Sequence, residues 1–122
     1  MGQYFLSAFP GAICPSVDIG DPTAVAEALD AEKPDVVINA AGKTGRPNVD
    51  WCEDHKIETI HSNVLGPLVL LEECEKRNIY MVHIGTGCVY SGGAETMYSE
   101  TDAPNFFGSF YSRSKGHIDQ LL

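Results

Sequence analysis

The fold follows from one stretch of sequence, Val36-Val37-Ile38-Asn39-Ala40-Ala41-Gly42, an apolar run that opens into small residues. Short apolar runs of this kind are typical of strands that are buried on both faces of a parallel sheet. The small residues at the end of the run leave room for a cofactor to approach the backbone. The stretch therefore predicts a buried strand, Val36 to Ala41, with a ligand-binding loop at its carboxyl end.

Helical and strand patterns alternate around this strand. Apolar spacing and turn residues predict helices from Asp21-Pro22 to about Glu32, from about Cys52 to Arg77 and from Phe110 to Leu122, and strands around Ala12 to Val17 and from Ile79 to Gly85. We expect Pro67 to kink the long helix, because it removes one backbone hydrogen bond. The alternation predicts an α/β fold, a doubly wound parallel sheet of Rossmann-like type, with ligands at the carboxyl ends of the strands.

The chemistry is indicated by Tyr111-Ser112-Arg113-Ser114-Lys115, at the start of the last helix. Residues four apart on a helix are neighbours, and a lysine beside a phenol favours the phenolate. We therefore expect the pKa of Tyr111 to lie below its usual value of about 10. Thr86, in Ile84-Gly85-Thr86-Gly87-Cys88, follows a predicted strand and offers a hydroxyl for a substrate oxygen. Together these residues predict proton transfer to a carbonyl or from an alcohol.

Size and composition narrow the class of protein. The chain has 122 residues, enough for one domain, and a net charge of −9, which argues against nucleic acid or an anionic membrane as the main partner. No apolar run is long enough for a membrane span, and the start lacks the pattern of a signal peptide. The four cysteines show neither metal-ligand spacing nor a disulfide framework, so we expect no metal site and a cytoplasmic location.

Several other side chains could be either functional or structural. Lys43, Arg46 and Arg113 lie in the motif segments, where they could attract a phosphorylated ligand or form ordinary solvated surface. We favour the ligand for Arg46 and leave the other two open. The four histidines are interpreted as structural residues, because they show no partner spacing, and Trp51 is interpreted as a core residue and not as a base-stacking platform.

Taken together, the segments resemble the extended short-chain dehydrogenase/reductases that act on nucleotide sugars. The resemblance is to the dTDP-4-dehydrorhamnose reductase branch, and within it to the bifunctional 3,5-epimerase/4-reductases of nucleotide-rhamnose synthesis. It rests on two long runs, Asn39-Ala40-Ala41-Gly42-Lys43-Thr44-Gly45-Arg46-Pro47-Asn48-Val49-Asp50-Trp51-Cys52-Glu53 and Asn105-Phe106-Phe107-Gly108-Ser109-Phe110-Tyr111-Ser112. It implies an oxidoreductase that uses NADPH, with NADH possible, on a 4-keto-6-deoxy nucleotide sugar.

The resemblance also implies roles for individual residues. Tyr111 is then the catalytic acid, Lys115 binds the nicotinamide ribose and tunes Tyr111, and Thr86 orients the sugar carbonyl. Asp18 and Ile19 match the pair that contacts the adenine, and the residues expected to line the dinucleotide are Asn39, Ala40, Ala41 and Gly42. We expect the substrate to contact Thr86, Arg46 and Asn48.

Cys88 carries the epimerase part of the hypothesis. In the related GDP-fucose synthases a cysteine stands two residues after the active-site hydroxyl, as Cys88 stands two after Thr86. Residues two apart on an extended segment point to the same side. A thiol there could exchange a proton at the carbon next to the keto group, and the alternative is a small buried cysteine that fills space.

Two parts of the family pattern are missing from the sequence: the first strand with its glycine-rich turn, and the lobe that grips the nucleotide sugar. We therefore expect residues 1–122 to be an incomplete NAD(P)-binding domain of a longer enzyme, which as a whole could be a homodimer. Two alternatives stay open, a non-catalytic regulatory or scaffold member of the same fold and an inactive fragment.

Overall fold

The computed structural model describes residues 2–93, 95 and 97–122. The helices in this part of the chain are α1 (Gly2–Ala8), α2 (Pro22–Glu32), α3 (Trp51–Asp54), α4 (Lys56–Ile60), α5 (Gly66–Glu75) and α6 (Phe110–Leu121), and its strands are β1 (Val36–Asn39) and β2 (Tyr80–His83). A π-helical turn spans His61–Leu65, and a 3-10 turn spans Gly87–Val89. Within these residues, no helix is both long and apolar enough to cross a membrane.

The chain divides into two compact units. The first comprises the described residues of Met1–Gly42 together with Leu65–Ile84, and the second comprises Lys43–Val64 together with Gly85–Leu122. The first unit therefore contains the sheet, and the second contains α6 with its Tyr111 and Lys115.

The sheet of the first unit is parallel, as predicted. Strands β1 and β2 pair in the register Val36 with Tyr80 through Asn39 with His83, and the Ile84 N–H extends the ladder by donating to the Asn39 carbonyl. Its core is formed by buried side chains of α2 and α5, packed against apolar side chains that include strand residues. The members are Val25, Leu29, Leu70 and Cys74, with Ile19, Val37, Val69, Ile79 and Met81 packed against them.

Helix α2 begins and ends where the sequence predicts. The Asp21 carboxylate accepts the backbone N–H groups of Thr23 and Ala24, at 2.9 and 3.1 Å, and Pro22 occupies the first turn, where its missing N–H costs nothing. Lys33 ends the helix in the left-handed conformation, at φ 46°. Both ends are therefore fixed by local interactions.

The prediction of a strand at Ala12 to Val17 is wrong for this structure. These residues run without regular secondary structure, and most of their side chains are exposed. A strand needs a neighbour to pair its backbone groups. In the described part of the chain the sheet has only two strands, which pair with each other.

Helix α6 is the centre of the second unit. It packs against α3, α4 and the 3-10 turn, and its Ile118 is fully buried, as is Cys52 of α3. Ser109 caps the helix by accepting the Ser112 N–H at 3.0 Å. The predicted helix from Phe110 to Leu122 is thus present as Phe110–Leu121.

The long helix predicted from Cys52 to Arg77 is instead broken into α3, α4, the π-helical turn and α5. At the first break the His55 ring Nδ1 lies 2.9 Å from the Trp51 carbonyl, beside a non-helical His55 backbone (φ −122°, ψ 52°). At the second, Pro67 lies in the first turn of α5 and has no N–H to give to the preceding turn. The apolar spacing continues across both breaks and does not reveal the first.

Arg77 joins the end of α5 to α2 in the first unit. Its guanidinium donates to both carboxylate oxygens of Asp30, at 2.7 and 3.0 Å, and to the Glu73 carboxylate at 2.7 Å. These bonds hold the pKa of Asp30 below its usual value, and hydrogen bonds from Lys76 and then from Arg77 do the same for Glu73. Both carboxyl groups therefore favour the folded state when they are charged.

This network predicts an acid-sensitive stability. Because the folded pKa values are lowered, the stabilisation is complete above the usual Glu value of 4.5 and is lost as the pH falls through the lowered values. Arg77→Met should lower the melting temperature at pH 7 and flatten its decline between pH 5 and 3. Circular dichroism melts across that range measure both effects, with the exposed Arg46→Met as the control. Equal acid slopes in wild type and Arg77→Met would contradict the assignment.

Gly45 is the position in the Lys43–Asp50 loop where a side chain cannot be accommodated. Its φ is +74°, and a Cβ atom added there would lie 2.4 Å from the Trp51 Cβ. Gly45→Ala should therefore cost about 1 to 2 kcal/mol for the left-handed backbone and about 1 to 3 kcal/mol more for overpacking. Gly11→Ala is the control, because Gly11 has φ +87° with no atom within 4 Å of the added Cβ. Urea unfolding should show a larger loss in the free energy of unfolding for Gly45→Ala than for Gly11→Ala. Equal losses would mean that the Trp51 side chain moves aside at little energetic cost.

Candidate active site

The site is built on the first turns of α6, in the second unit. Tyr111 and Lys115 lie one turn apart on this helix, and only 8% and 4% of their surfaces are exposed. Their burial follows from the packing of α6 against α3, α4 and the 3-10 turn. The predicted pair is therefore a buried pair and does not belong to a solvated helix face.

Thr86 comes to the same place from the loop after β2. Its side chain caps the 3-10 turn, with Oγ1 accepting the Cys88 N–H at 3.3 Å, and forms a hydrogen bond with the Tyr111 phenol. The backbone of Cys88 lies beside α6 as well, because its carbonyl accepts the Ser112 hydroxyl at 2.7 Å. The second unit thus brings together all four residues predicted to be catalytic: Thr86, Cys88, Tyr111 and Lys115.

The pKa of Tyr111 moves in the direction opposite to the one predicted. Burial raises it, and the hydrogen bond with Thr86 offsets only part of that rise. Burial also lowers the pKa of Lys115, because the ammonium loses its hydration. Both shifts favour neutral side chains. The phenol therefore stays protonated at neutral pH, which is the form that donates a proton.

Asp119 is a member of the site that the sequence reasoning missed. It lies one turn after Lys115 on α6, and its attraction raises the pKa of that lysine against the larger effect of burial. Burial in turn raises the pKa of Asp119. The Asp119 carboxylate also lies against Gly85, where an added Cβ would stand 3.2 Å from Oδ2. The spacing of four from Lys115 was a usable signal.

Glu53 and Ser112 were also missed. The Glu53 carboxylate accepts the N–H of Phe110, the residue before Tyr111, at 2.5 Å, and lies 3.8 Å from the Arg113 guanidinium. Ser112 is buried between Ser109 and the Cys88 carbonyl. The spacing of three between Ser109 and Ser112 indicates a helix cap. Nothing local links Glu53 to Phe110, which lies 57 residues away.

The residues predicted to line a dinucleotide lie in the first unit. Asn39 is buried at the end of β1, where its side-chain oxygen accepts the Ala41 N–H at 3.1 Å and its Nδ2 contacts His83. Ala41 and Gly42 follow as an exposed loop of small residues. Ile19 packs on the core, whereas Asp18 is exposed and accepts the Gly20 N–H at 2.9 Å.

The predicted substrate contacts Arg46 and Asn48 are exposed in the loop that opens the second unit. The side-chain oxygen of Asn48 accepts the Asp50 N–H at 2.9 Å within a turn. Nearby, the Trp51 ring stacks on His55 at 3.7 Å, and the Lys43 ammonium lies 5.1 Å from the Trp51 ring centre. These contacts agree with a structural role for Trp51 and His55.

The parallel sheet of the first unit defines the class of protein, an α/β protein of Rossmann-like fold. The sequence profile of the RmlD substrate binding domain matches residues 7–122, and the chain belongs to this family. The resemblance read from the sequence is thereby confirmed.

Similar proteins include one relative found by sequence and two solved structures. The bifunctional dTDP-4-dehydrorhamnose 3,5-epimerase/dTDP-4-dehydrorhamnose reductase of Arabidopsis thaliana is 44% identical over 108 residues, which are 84% of this chain and 36% of that enzyme. The crystal structure of the L780 UDP-rhamnose synthase from Acanthamoeba polyphaga mimivirus is 32% identical, with a TM-score of 0.84 over 98% of this chain and 45% of that one. RMD from Pseudomonas aeruginosa, complexed with NADPH, is 30% identical, with a TM-score of 0.74 over 98% of this chain and 42% of that one. The chain thus spans about a third of the Arabidopsis relative.

Proposed function

We propose that these residues belong to an enzyme that reduces the keto group of a 4-keto-6-deoxy nucleotide sugar with NADPH and also epimerises the sugar, in nucleotide-rhamnose synthesis. The observation that carries the proposal is the meeting of Thr86, Cys88, Tyr111 and Lys115 around the start of α6. The Arabidopsis relative is named for the same two reactions. Since the chain covers 36% of that relative, activity belongs to an enzyme of the relatives' full length.

In the reduction step, Tyr111 is the proton donor. When bound, the nicotinamide cofactor supplies a hydride to the carbonyl carbon. The Tyr111 phenol gives its proton to the carbonyl oxygen, and the C=O group becomes a CH–OH group. The phenol is protonated at neutral pH, as a proton donor must be, while burial raises its pKa and so weakens it as an acid. Thr86, already hydrogen-bonded to that phenol, orients the same oxygen.

In the epimerisation step, Cys88 is the base that removes a proton from carbon. As a thiolate, Cys88 removes a proton from the carbon next to the keto group, and the electron pair moves to the keto oxygen as an enolate. A water molecule gives a proton to the opposite face of that carbon, which inverts it and restores the ketone, and the Cys88 thiol returns its proton to the resulting hydroxide through solvent. The exposed thiol of Cys88 supports this assignment over a buried packing cysteine.

For a nicotinamide dinucleotide we assign the contacts in each unit separately. In the first unit, Ala40 to Gly42 offer a backbone without bulky side chains, and Asn39 fixes that loop through the Ala41 N–H. We assign Asp18 and Ile19 to the adenine end. In the second unit, Lys115 is a buried amine suited to the hydroxyls of a ribose. For the sugar nucleotide we assign the exposed Arg46 and Asn48, with Arg46 facing phosphate.

Tyr111→Phe tests the reduction in an enzyme of the relatives' full length that contains these residues. Loss of the general acid should lower kcat by about 10² to 10⁴, while the dissociation constant of NADPH changes little. Stopped-flow oxidation of NADPH and fluorescence titration measure the two quantities. Tyr80→Phe is the matched control, because 70% of Tyr80 is exposed. Near-normal turnover in Tyr111→Phe would show that another group is the acid.

Cys88→Ser tests the epimerisation separately. Solvent deuterium should enter the ring carbons of the 4-keto sugar at least about 10²-fold more slowly, because a serine hydroxyl is a far weaker base than a thiolate. Hydride transfer to an already epimerised sugar should survive. Cys14→Ser, which removes the other exposed thiol, is the control. An unchanged rate of deuterium entry in Cys88→Ser would mean that Cys88 is a packing residue.

A further inference from the structure

Ser112 has a buried hydroxyl whose donor and acceptor are both used. Only 2% of the residue is exposed. The hydroxyl accepts a hydrogen bond from the Ser109 hydroxyl at 2.9 Å and donates to the Cys88 carbonyl at 2.7 Å. The second bond reaches 24 residues back along the chain and is not needed to build the helix. It ties the residue after Tyr111 to the backbone of the thiol residue.

The backbone of Cys88 is therefore held on both sides. Thr86 Oγ1 accepts its N–H and its carbonyl accepts the Ser112 hydroxyl, while its side chain stays exposed. Thr86 is also hydrogen-bonded to Tyr111, which precedes Ser112 in the chain. The contacts form a closed ring of four residues: Tyr111, Thr86, Cys88 and Ser112. In such a ring the Cys88 backbone, from which the thiol projects, cannot shift without disturbing its contacts to Thr86 and Ser112.

We infer that Ser112 is a positioning residue that fixes the Cys88 backbone relative to Tyr111, so that the thiol reaches the carbons beside the keto group while the phenol reaches the keto oxygen. This inference rests on the proposed function. It assigns no proton to Ser112. Its effect falls on epimerisation, because Tyr111 and Thr86 keep their own contact when the Ser112 hydroxyl is removed.

If the role of Ser112 were purely structural, it would be part of the cap of α6. Variants of Ser109 and Ser112 distinguish that role from the positioning role. Ser109 accepts the Ser112 N–H and so provides the cap. Ser109→Ala removes the cap and leaves the Ser112 hydroxyl beside the Cys88 carbonyl. Ser112→Ala leaves the cap oxygen in place and removes the bond to Cys88. The two variants lose a comparable hydroxyl on the same turn, so each is the matched control for the other.

The experiment measures two rates in the full-length enzyme. One is the entry of solvent deuterium into the ring carbons of the 4-keto sugar, and the other is hydride transfer from NADPH to the already epimerised sugar. Ser112→Ala should lower the first rate about 5- to 10-fold relative to the second, as expected for one lost hydrogen bond. Ser109→Ala should lower the melting temperature and leave the ratio of the rates unchanged.

Equal losses of both rates in Ser112→Ala, or the same ratio in both variants, would overturn the inference. Should Ser112→Ala fail to fold, Ser112→Cys replaces the hydroxyl by a weaker donor of similar shape, and the ratio should again fall. An unchanged ratio in that variant would overturn the inference too. Failure of the proposed function is a different result, since Cys88→Ser would then leave the deuterium rate unchanged.

Discussion

The site depends on how the first turn of α6 is anchored. Three hydrogen bonds meet there: Glu53 accepts the Phe110 N–H, Ser109 accepts the Ser112 N–H, and Ser112 donates to the Cys88 carbonyl. They come from α3, from the helix's own cap and from the loop after β2. A carboxylate at a helix N-terminus is also favoured by the helix dipole. The backbone of Tyr111, which lies between these contacts, is therefore held in place before any substrate binds.

Burial then decides the chemistry of the anchored groups. Desolvation raises the pKa of Tyr111, lowers that of Lys115 and raises that of Asp119, so all three shifts disfavour charge. A protonated phenol is what a carbonyl reduction requires of its acid. Asp119 opposes the effect on Lys115, since its carboxylate attracts the ammonium from one helical turn away. Burial and this carboxylate therefore shift the pKa of Lys115 in opposite directions, and burial has the larger effect.

The broken helix between residues 51 and 75 serves the loop that carries Arg46 and Asn48. Asn63, fully buried in the π-helical turn, uses its side-chain oxygen to accept the Lys43 N–H at 2.6 Å and its Nδ2 to donate to the Lys43 carbonyl at 2.9 Å. One side chain thereby holds both polar groups of a loop residue. A regular helix would leave Asn63 on a different face from the one it now occupies. The irregular turn and the start of the loop are parts of a single arrangement.

Local sequence patterns determined several helix ends, the start of a strand and the spacing of one residue pair in this protein. The cap of α2 by Asp21 with Pro22 behind it, the extent of α6, the strand beginning at Val36 and the spacing of Tyr111 with Lys115 were all readable, because each involves residues close in sequence. The loop that places Thr86 and Cys88 beside α6 was predicted only in outline, from the order of strands and helices.

Tertiary structure decided the rest. It broke the predicted helix at His55 and before Pro67, left residues 12–17 without a strand partner, reversed the expected pKa shift of Tyr111, and brought Glu53 and Ser112 to the start of α6. These outcomes share one physical cause. A strand, a desolvation penalty and a hydrogen bond across 57 residues each depend on groups that only the folded chain brings together. The sequence alone fixes which groups are available, and packing fixes which of them meet and which of them stay charged.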